Sequence, residues 1–274
     1  MRRGGRRNAT RVISCSAAAL APRHPFWLSG VLAVMLPAFL VTSSARADSV
    51  GLGIPFRGTA AVGALFTTAG GALGTHFCTA SVVDSPAGNL LITAAHCMAG
   101  LSLSPAGSVV FAPGYHDGIF PYGSWPVTAE YTDEQWQQSQ NPDDDVAFLV
   151  AGLPGKELQS LTGAETLMVN QPPQAVQVIG YPDDAGEPIT CTAPAGSFDG
   201  ASQMVFDCDD YTNGTSGGPF LADVSPATGD GWLIGVIGGY QQGGDTPDIS
   251  YSPRFSAAVE SLYLTAILAD SGPG

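Results

Sequence analysis

The chain is poor in positive charge, with 10 lysine and arginine residues against 24 aspartate and glutamate residues in 274, a formal net charge of −14. Seven of the ten fall within the first 46 residues, where there is no acid. Beyond Ala47 only Arg57, Lys156 and Arg254 face all 24 acids, a net charge of −21. So acidic a surface repels polyphosphates and anionic lipid, which excludes nucleic acid and membrane surfaces as partners. No two cysteines have the C-x2-4-C spacing that zinc sites favour, and no metal or organic cofactor is expected. No apolar run reaches the roughly 20 residues of a membrane-spanning helix. Internal repeats and low-complexity linkers, which would mark a further domain, are lacking as well.

What is present begins with a targeting pattern. Residues 1–23 hold six arginines, and an apolar run follows at 26–41, broken by Ser29, Gly30 and Pro37. This is the basic n-region and apolar h-region of a secretory signal over residues 1–47, and Ala45-Arg46-Ala47 places cleavage before Asp48. The general secretory route and an extracellular location are expected. The 227 residues that remain suffice for one large or two small β-rich domains with a buried core. Cys15 leaves with the signal. Cys78, Cys97, Cys191 and Cys208 stay, an even number suited to an oxidising compartment, and four cysteines allow three pairings.

The body reads as short strands at 60–66, 77–83, 90–93, 109–111, 146–150, 175–179, 204–206 and 232–237. Each is an apolar or β-branched run, and clusters of glycine, proline, serine and aspartate separate them. That is the pattern of an antiparallel barrel or sandwich. Helical periodicity is convincing only at 257–268, where Val259, Leu262, Tyr263, Ala266 and Ile267 form one apolar stripe.

Chemistry concentrates in Gly214-Thr215-Ser216-Gly217-Gly218-Pro219. Glycines at fixed offsets around a serine mark backbone that bends sharply or approaches a ligand. A nucleophilic Ser216 needs an imidazole to take its proton and a carboxylate to orient that imidazole. Upstream stand Thr93-Ala94-Ala95-His96-Cys97 and Asp145-Val146-Ala147-Phe148. The order His, Asp, Ser differs from the Ser, acid, His of α/β-hydrolases and from the Asp, His, Ser of subtilisin-type chains.

With T-A-A-H-C, D-V-A-F and G-T-S-G-G-P in that order, the chain resembles the chymotrypsin-like (trypsin-fold) serine peptidases from about residue 58 to 267. The resemblance implies an all-β fold of two six-stranded antiparallel β-barrels, the first over 58–155 and the second over 156–256, with the active site between them. A C-terminal helix at 257–268 would dock on the second barrel. It implies a catalytic set of His96 as base, Asp145 as orienting acid and Ser216 as nucleophile, with the backbone N–H groups of Gly214 and Ser216 as oxyanion hole. It also selects the pairings Cys78 with Cys97 and Cys191 with Cys208. Asp143 and Asp144 are then solvated loop charges, and His76 and His116 are structural. The implied activity is a secreted serine endopeptidase acting as a monomer on protein or peptide. The same constellation would serve an esterase, and a non-catalytic relative would bind a partner through the cleft.

Departures from the family pattern shape the specificity reading. Trypsin and chymotrypsin carry an aspartate just before the nucleophile that pairs with a new N-terminus; here that position is Thr215, and the ion-pair switch is missing. With the wording C-D-D-Y-T-N-G-T-S-G-G-P and the stretch Gly180-Tyr181-Pro182, the chain is most similar to the secreted bacterial branch that includes glutamyl endopeptidases. Residues 48–57 are then either a short propeptide or an N-terminal arm. The pocket-floor position falls on Asp210, which favours a basic side chain. Gly238 and Gly239 are expected to hold substrate backbone, with Tyr240 narrowing the entrance. The wall strand has no histidine, which speaks against a glutamate preference.

Overall fold

A computed structural model describes residues 50–103 and 108–270; the expected signal segment lies outside the described residues. At the start, β1 (Gly51–Leu52) and β2 (Ile54–Pro55) are two short strands of an extended arm. The chain then forms β3 (Val62–Ala69), β4 (Ala72–Val82), β5 (Leu90–Thr93), β6 (Val109–Pro113), β7 (Trp125–Thr132), helix α1 (Glu134–Ser139) and β8 (Ala147–Ala151). These six longer strands close into an antiparallel barrel in the order β3-β4-β5-β8-β7-β6. Leu91 and Leu149 point into its interior with Leu65, Phe111 and Trp125, while Leu90, Ile92 and Phe148 point outward into a second buried layer. Because β5 and β8 are covered on both faces, their sequences are unbroken apolar runs rather than alternating ones.

A connection carrying α2 (Gln159–Thr162) and the short β9 (Thr166–Leu167) leads to β10 (Ala175–Gly180), β11 (Ile189–Phe198), β12 (Gln203–Asp209), β13 (Pro219–Ala222), β14 (Trp232–Val236) and β15 (Ile249–Pro253). Pairing runs β15-β12-β11-β10-β13-β14, a curled six-stranded array around Val178, Met204, Phe206 and Phe220. Its last edge is not a backbone ladder. Val236 N–H donates to the hydroxyl of Ser252 at 3.0 Å and Gly238 N–H to Tyr251 O at 3.0 Å, so a serine side chain stands in for part of the closing pairs. The arm belongs to this array. β1 pairs parallel with Cys208 and Asp209 of β12, β2 pairs with β11, and Gly53 N–H donates to Asp209 O at 2.9 Å.

The closing helix α3 (Ala257–Asp270) corrects one expectation. It packs on the first barrel, not the second. The Tyr263 ring lies 5.7 Å from that of Phe148 on β8, and its hydroxyl donates to Asp84 O at 2.8 Å. Val259, Leu262 and Ala266 join the layer that holds Ile92 and Phe148. The expected apolar stripe is the buried face of the helix, but its partner is the outward face of β8, whose apolar residues it helps to cover. Among the described residues no helix is long and apolar enough to cross a membrane.

Glu165, just before β9, is fully buried where the connection crosses the first barrel. Oε2 accepts Gly231 N–H at 2.6 Å, and Oε1 has no partner among the described residues. Burial pushes its carboxyl up to about 8, Asp230 adds to the rise, and the Gly231 N–H opposes it. The folded chain therefore keeps this proton to higher pH than the unfolded chain, where it leaves near 4.5. Its stabilising effect is fully present below that value and fades as pH rises toward 8. Thermal melts from pH 4.5 to 8 are expected to show stability falling by on the order of a few kcal/mol. Glu165→Gln should remove most of that slope; an unchanged slope would place its origin elsewhere.

Candidate active site

His96 sits on a single 3-10 turn, Ala95–Met98, that follows β5. The disulfide Cys78–Cys97 fastens this turn to β4, and Cys191–Cys208 joins β11 to β12. Asp145 closes the turn Pro142–Asp144 just ahead of β8 and is fully buried. Three N–H groups hold its carboxylate: His96 N donates to Oδ1 at 2.8 Å, and His96 Nδ1 and Gly239 N donate to Oδ2, each at 2.8 Å. A carboxylate at Nδ1 fixes the proton there and leaves Nε2 as the free base.

The serine segment is clamped from the other barrel. Thr79 of β4 donates its N–H to Ser216 O at 2.7 Å and its hydroxyl to Gly214 O at 3.0 Å. Gly217 N–H donates to Ile237 O at 2.7 Å and Gly218 N–H to Thr215 O at 2.9 Å. The N–H groups of Gly214 and Ser216 have no acceptor among the described residues. Two unpaired amides beside a serine are the donors that a developing oxyanion needs. Gly214, at φ 91°, also faces backbone: a Cβ there would stand 2.5 Å from Tyr181 O and Asp183 N. Thr215, at the position where an aspartate would take a new N-terminus, donates its hydroxyl to Thr212 O at 2.7 Å. Gly217 is at φ 81°, and a Cβ on it would run into Thr79 O and the Thr93 hydroxyl. Gly217→Ala is expected to destabilise the chain by roughly 3 kcal/mol or more, a Tm lower by about 6–12 °C. A melt like that of the parent would refute the clamp.

His96 and Ser216 line one cavity of about 690 Å³. No hydrogen bond joins Ser216 Oγ to His96 Nε2 among the described residues; in unliganded sites that bond is often long and tightens with substrate bound. Phe77, Tyr211, Ile237 and the loop 241–247 complete the walls, and Asp183 and Asp245 are the acids that reach it. The expected specificity residues lie elsewhere. Asp210 is exposed at φ 73° and does not line the cavity. Gly238 N–H is taken by Tyr251 O, and Gly239 is used at both ends, by Asp145 and by Gln242 N–H at 2.9 Å. Tyr240 packs its ring 5.0 Å from those of Phe198 and Tyr251, away from the cavity. The reason is local: Gln241 and Gln242 are both left-handed, φ 51° and 54°, and turn the chain so that 241–247 faces the serine. The sequence signal for this loop is Gly243-Gly244-Asp245-Thr246-Pro247, a turn-rich stretch that follows the expected Gly238 and Gly239.

The expectation of solvated loop charges at Asp143 and Asp144 needs adjustment, whereas His76 and His116 have structural surroundings. Asp143 is not a free loop charge: it accepts Gln203 Nε2 at 2.6 Å, and the buried Gln203 accepts Tyr240 N–H at 3.2 Å. Asp144 accepts Asn141 Nδ2 at 2.6 Å, and partial burial raises its carboxyl above the ordinary range. His76 is buried, donates Nε2–H to Ala185 O at 3.1 Å and packs against Phe66 and Tyr115, while His116 donates to Gly114 O at 3.0 Å. Neither lines the cavity. Cys78, His96 and Cys97 lie close enough together to suggest a metal, but the two sulfurs are bonded to each other and offer no thiolate.

No family model and no curated protein matches the sequence. Solved structures do. Protease Anisep from Arthrobacter nicotinovorans is similar over 79% of this chain and 100% of its own, with TM-score 0.65 and 25% identity. The thermostable serine protease AL20 from an extremophilic microorganism covers 77% of this chain and 98% of its own, with TM-score 0.64 and 26% identity. A Glu endopeptidase in complex with MPD, at 17% identity and TM-score 0.59 over 80% of this chain and 97% of its own, shares the fold.

Proposed function

For a chain that has the trypsin fold and has bacterial serine proteases as its structural neighbours, we propose the activity of a secreted serine endopeptidase that works through an acyl-enzyme on Ser216. The observation that carries this reading is the convergence on one cavity of a serine, an imidazole backed by a buried carboxylate, and two backbone N–H groups without acceptors. His96 Nε2 takes the Ser216 proton as Oγ adds to the peptide carbonyl, and the amides of Gly214 and Ser216 receive the oxyanion. The tetrahedral adduct collapses when the imidazolium returns the proton to the leaving amine. Water then repeats the sequence on the ester. Asp145 stabilises the imidazolium without accepting its proton.

Secretion rests on the leader pattern of residues 1–47 and on two disulfides. The arm of residues 50–55 belongs to the working enzyme, since it is hydrogen-bonded into the second array beside the segment that leads to Ser216. The protein acts as a monomer on polypeptide and needs no cofactor. Labelling of the mature protein by a fluorophosphonate probe, followed by cleavage-site profiling on a mixed peptide library, tests the reading. Labelling with peptide cleavage supports it. Labelling with hydrolysis of esters alone would make the protein an esterase, and no labelling of correctly processed protein would leave a binding relative.

A further inference from the structure

The turn that presents His96 and Cys97 to the first cavity presents Ala95 and Met98 to a second one, of about 500 Å³, which shares no lining residue with the first. Met98, Leu101 and Trp136 give it apolar walls, and Gln137 and Gln140 from α1 and its C-terminal end join them. Glu130, half-buried on β7, is its one ionisable lining residue. The Glu130 carboxylate has no hydrogen-bond or ion-pair partner among the described residues, and burial raises its carboxyl above the ordinary value. A partly desolvated carboxylate without a partner, in a cavity that also has apolar and indole walls, gains from a cation brought in from outside, and Arg57, Lys156 and Arg254 are not among the lining residues.

We propose that this cavity binds an organic cation, an ammonium or guanidinium group on an apolar stem such as the end of a lysine or arginine side chain. The cationic head donates to Glu130, and the stem covers the partly buried Leu101. Occupancy bears on the adjoining cleft because Ala95, His96, Cys97 and Met98 form one turn, closed by Ala99 N–H to His96 O at 3.2 Å.

The test uses the full mature chain carrying Ser216→Ala, titrated with n-butylammonium chloride against sodium chloride at equal ionic strength, with tryptophan fluorescence and heat as readouts. Saturable binding with Kd on the order of a millimolar is expected for so small a ligand. Glu130→Gln should weaken it at least about 10-fold, and Leu101→Lys should abolish it by placing an ammonium in the cavity. Asp245→Asn, which changes the first cavity, should leave Kd within about twofold. A non-saturating, sodium-like response overturns the proposal. So does the parent affinity in a Glu130→Gln protein that melts like the parent. With Ser216 intact, turnover of peptides with and without a lysine away from the cleaved bond identifies the source of the cation. A KM lowered by lysine only when Glu130 is present assigns the cavity to the substrate's own side chain. Glu130-dependent butylammonium binding with KM indifferent to lysine assigns it to a free amine. If no peptide is cleaved at all, the peptidase reading fails while the titration still decides the cavity.

Discussion

Ser216→Ala is expected to lower peptide turnover roughly 10⁶-fold and to abolish fluorophosphonate labelling. The loss should lie in kcat, since the substitution removes the atom that forms the covalent bond and little of the surface that binds. The segment's carbonyls and the amides of Gly217 and Gly218 are held by backbone and Thr79 rather than by the serine hydroxyl. The Gly214 and Ser216 amides stay in place, so activity above the uncatalysed rate should persist. Melting within about a degree of the parent is expected, because no hydrogen bond of the Ser216 hydroxyl supports the fold. Turnover near the parent level would refute the nucleophile and with it the mechanism.

Asp145→Asn should lower kcat about 10⁴-fold, the loss known for the equivalent change in chymotrypsin-type enzymes. The geometry explains why an isosteric amide fails. Oδ1 accepts from His96 N–H and Oδ2 from both His96 Nδ1 and Gly239 N–H. If the amide oxygen takes the Oδ2 place, its NH₂ opposes the His96 backbone N–H. In the reverse orientation the NH₂ opposes Gly239 N–H and drives the imidazole to the tautomer with its proton on Nε2, which cannot accept from serine. Asp144→Asn should stay within about 10-fold of the parent, since that side chain meets Asn141 and not His96. The pH–rate profile of both variants decides the assignment. A fully active Asp145→Asn beside an inactive Asp144→Asn would move the acid by one residue.

Legibility followed the chemistry of each segment. The strand at 90–93 was read to the residue because both its faces are buried, which leaves an uninterrupted apolar signature bounded by turn residues. β7 was missed because WPVTAEYT mixes half-exposed positions with a register shift between Val127 and Ala129, so neither periodicity survives. β11 and β15 are hidden for a different reason: threonine, serine and proline at pairing positions read as loop until their partners are known. The three signatures placed His96, Asp145 and Ser216 in one neighbourhood because their types and order are restrictive. Thr79, which holds the carbonyls of Gly214 and Ser216, carries no signal in the sequence; a buried threonine inside a strand looks like any other. The cavity wall was misplaced by a few residues because two consecutive left-handed glutamines are not foreseeable from composition.

The ends of the described chain are exchanged between its halves, the arm lying in the second array and the last helix on the first barrel. A polypeptide that emerges N-terminus first has all six strands of the first barrel in hand long before α3 appears. Until then the layer bearing Ile92 and Phe148 lacks the part of its cover that α3 supplies, and the arm waits for β12 to be made. Both late contacts join residues far apart along the chain, so their formation is slow relative to local structure. Maturation of the cleft is thereby tied to completion of synthesis: a chain interrupted before its final helix holds the three chemical groups yet presents them on a sticky, protease-sensitive intermediate.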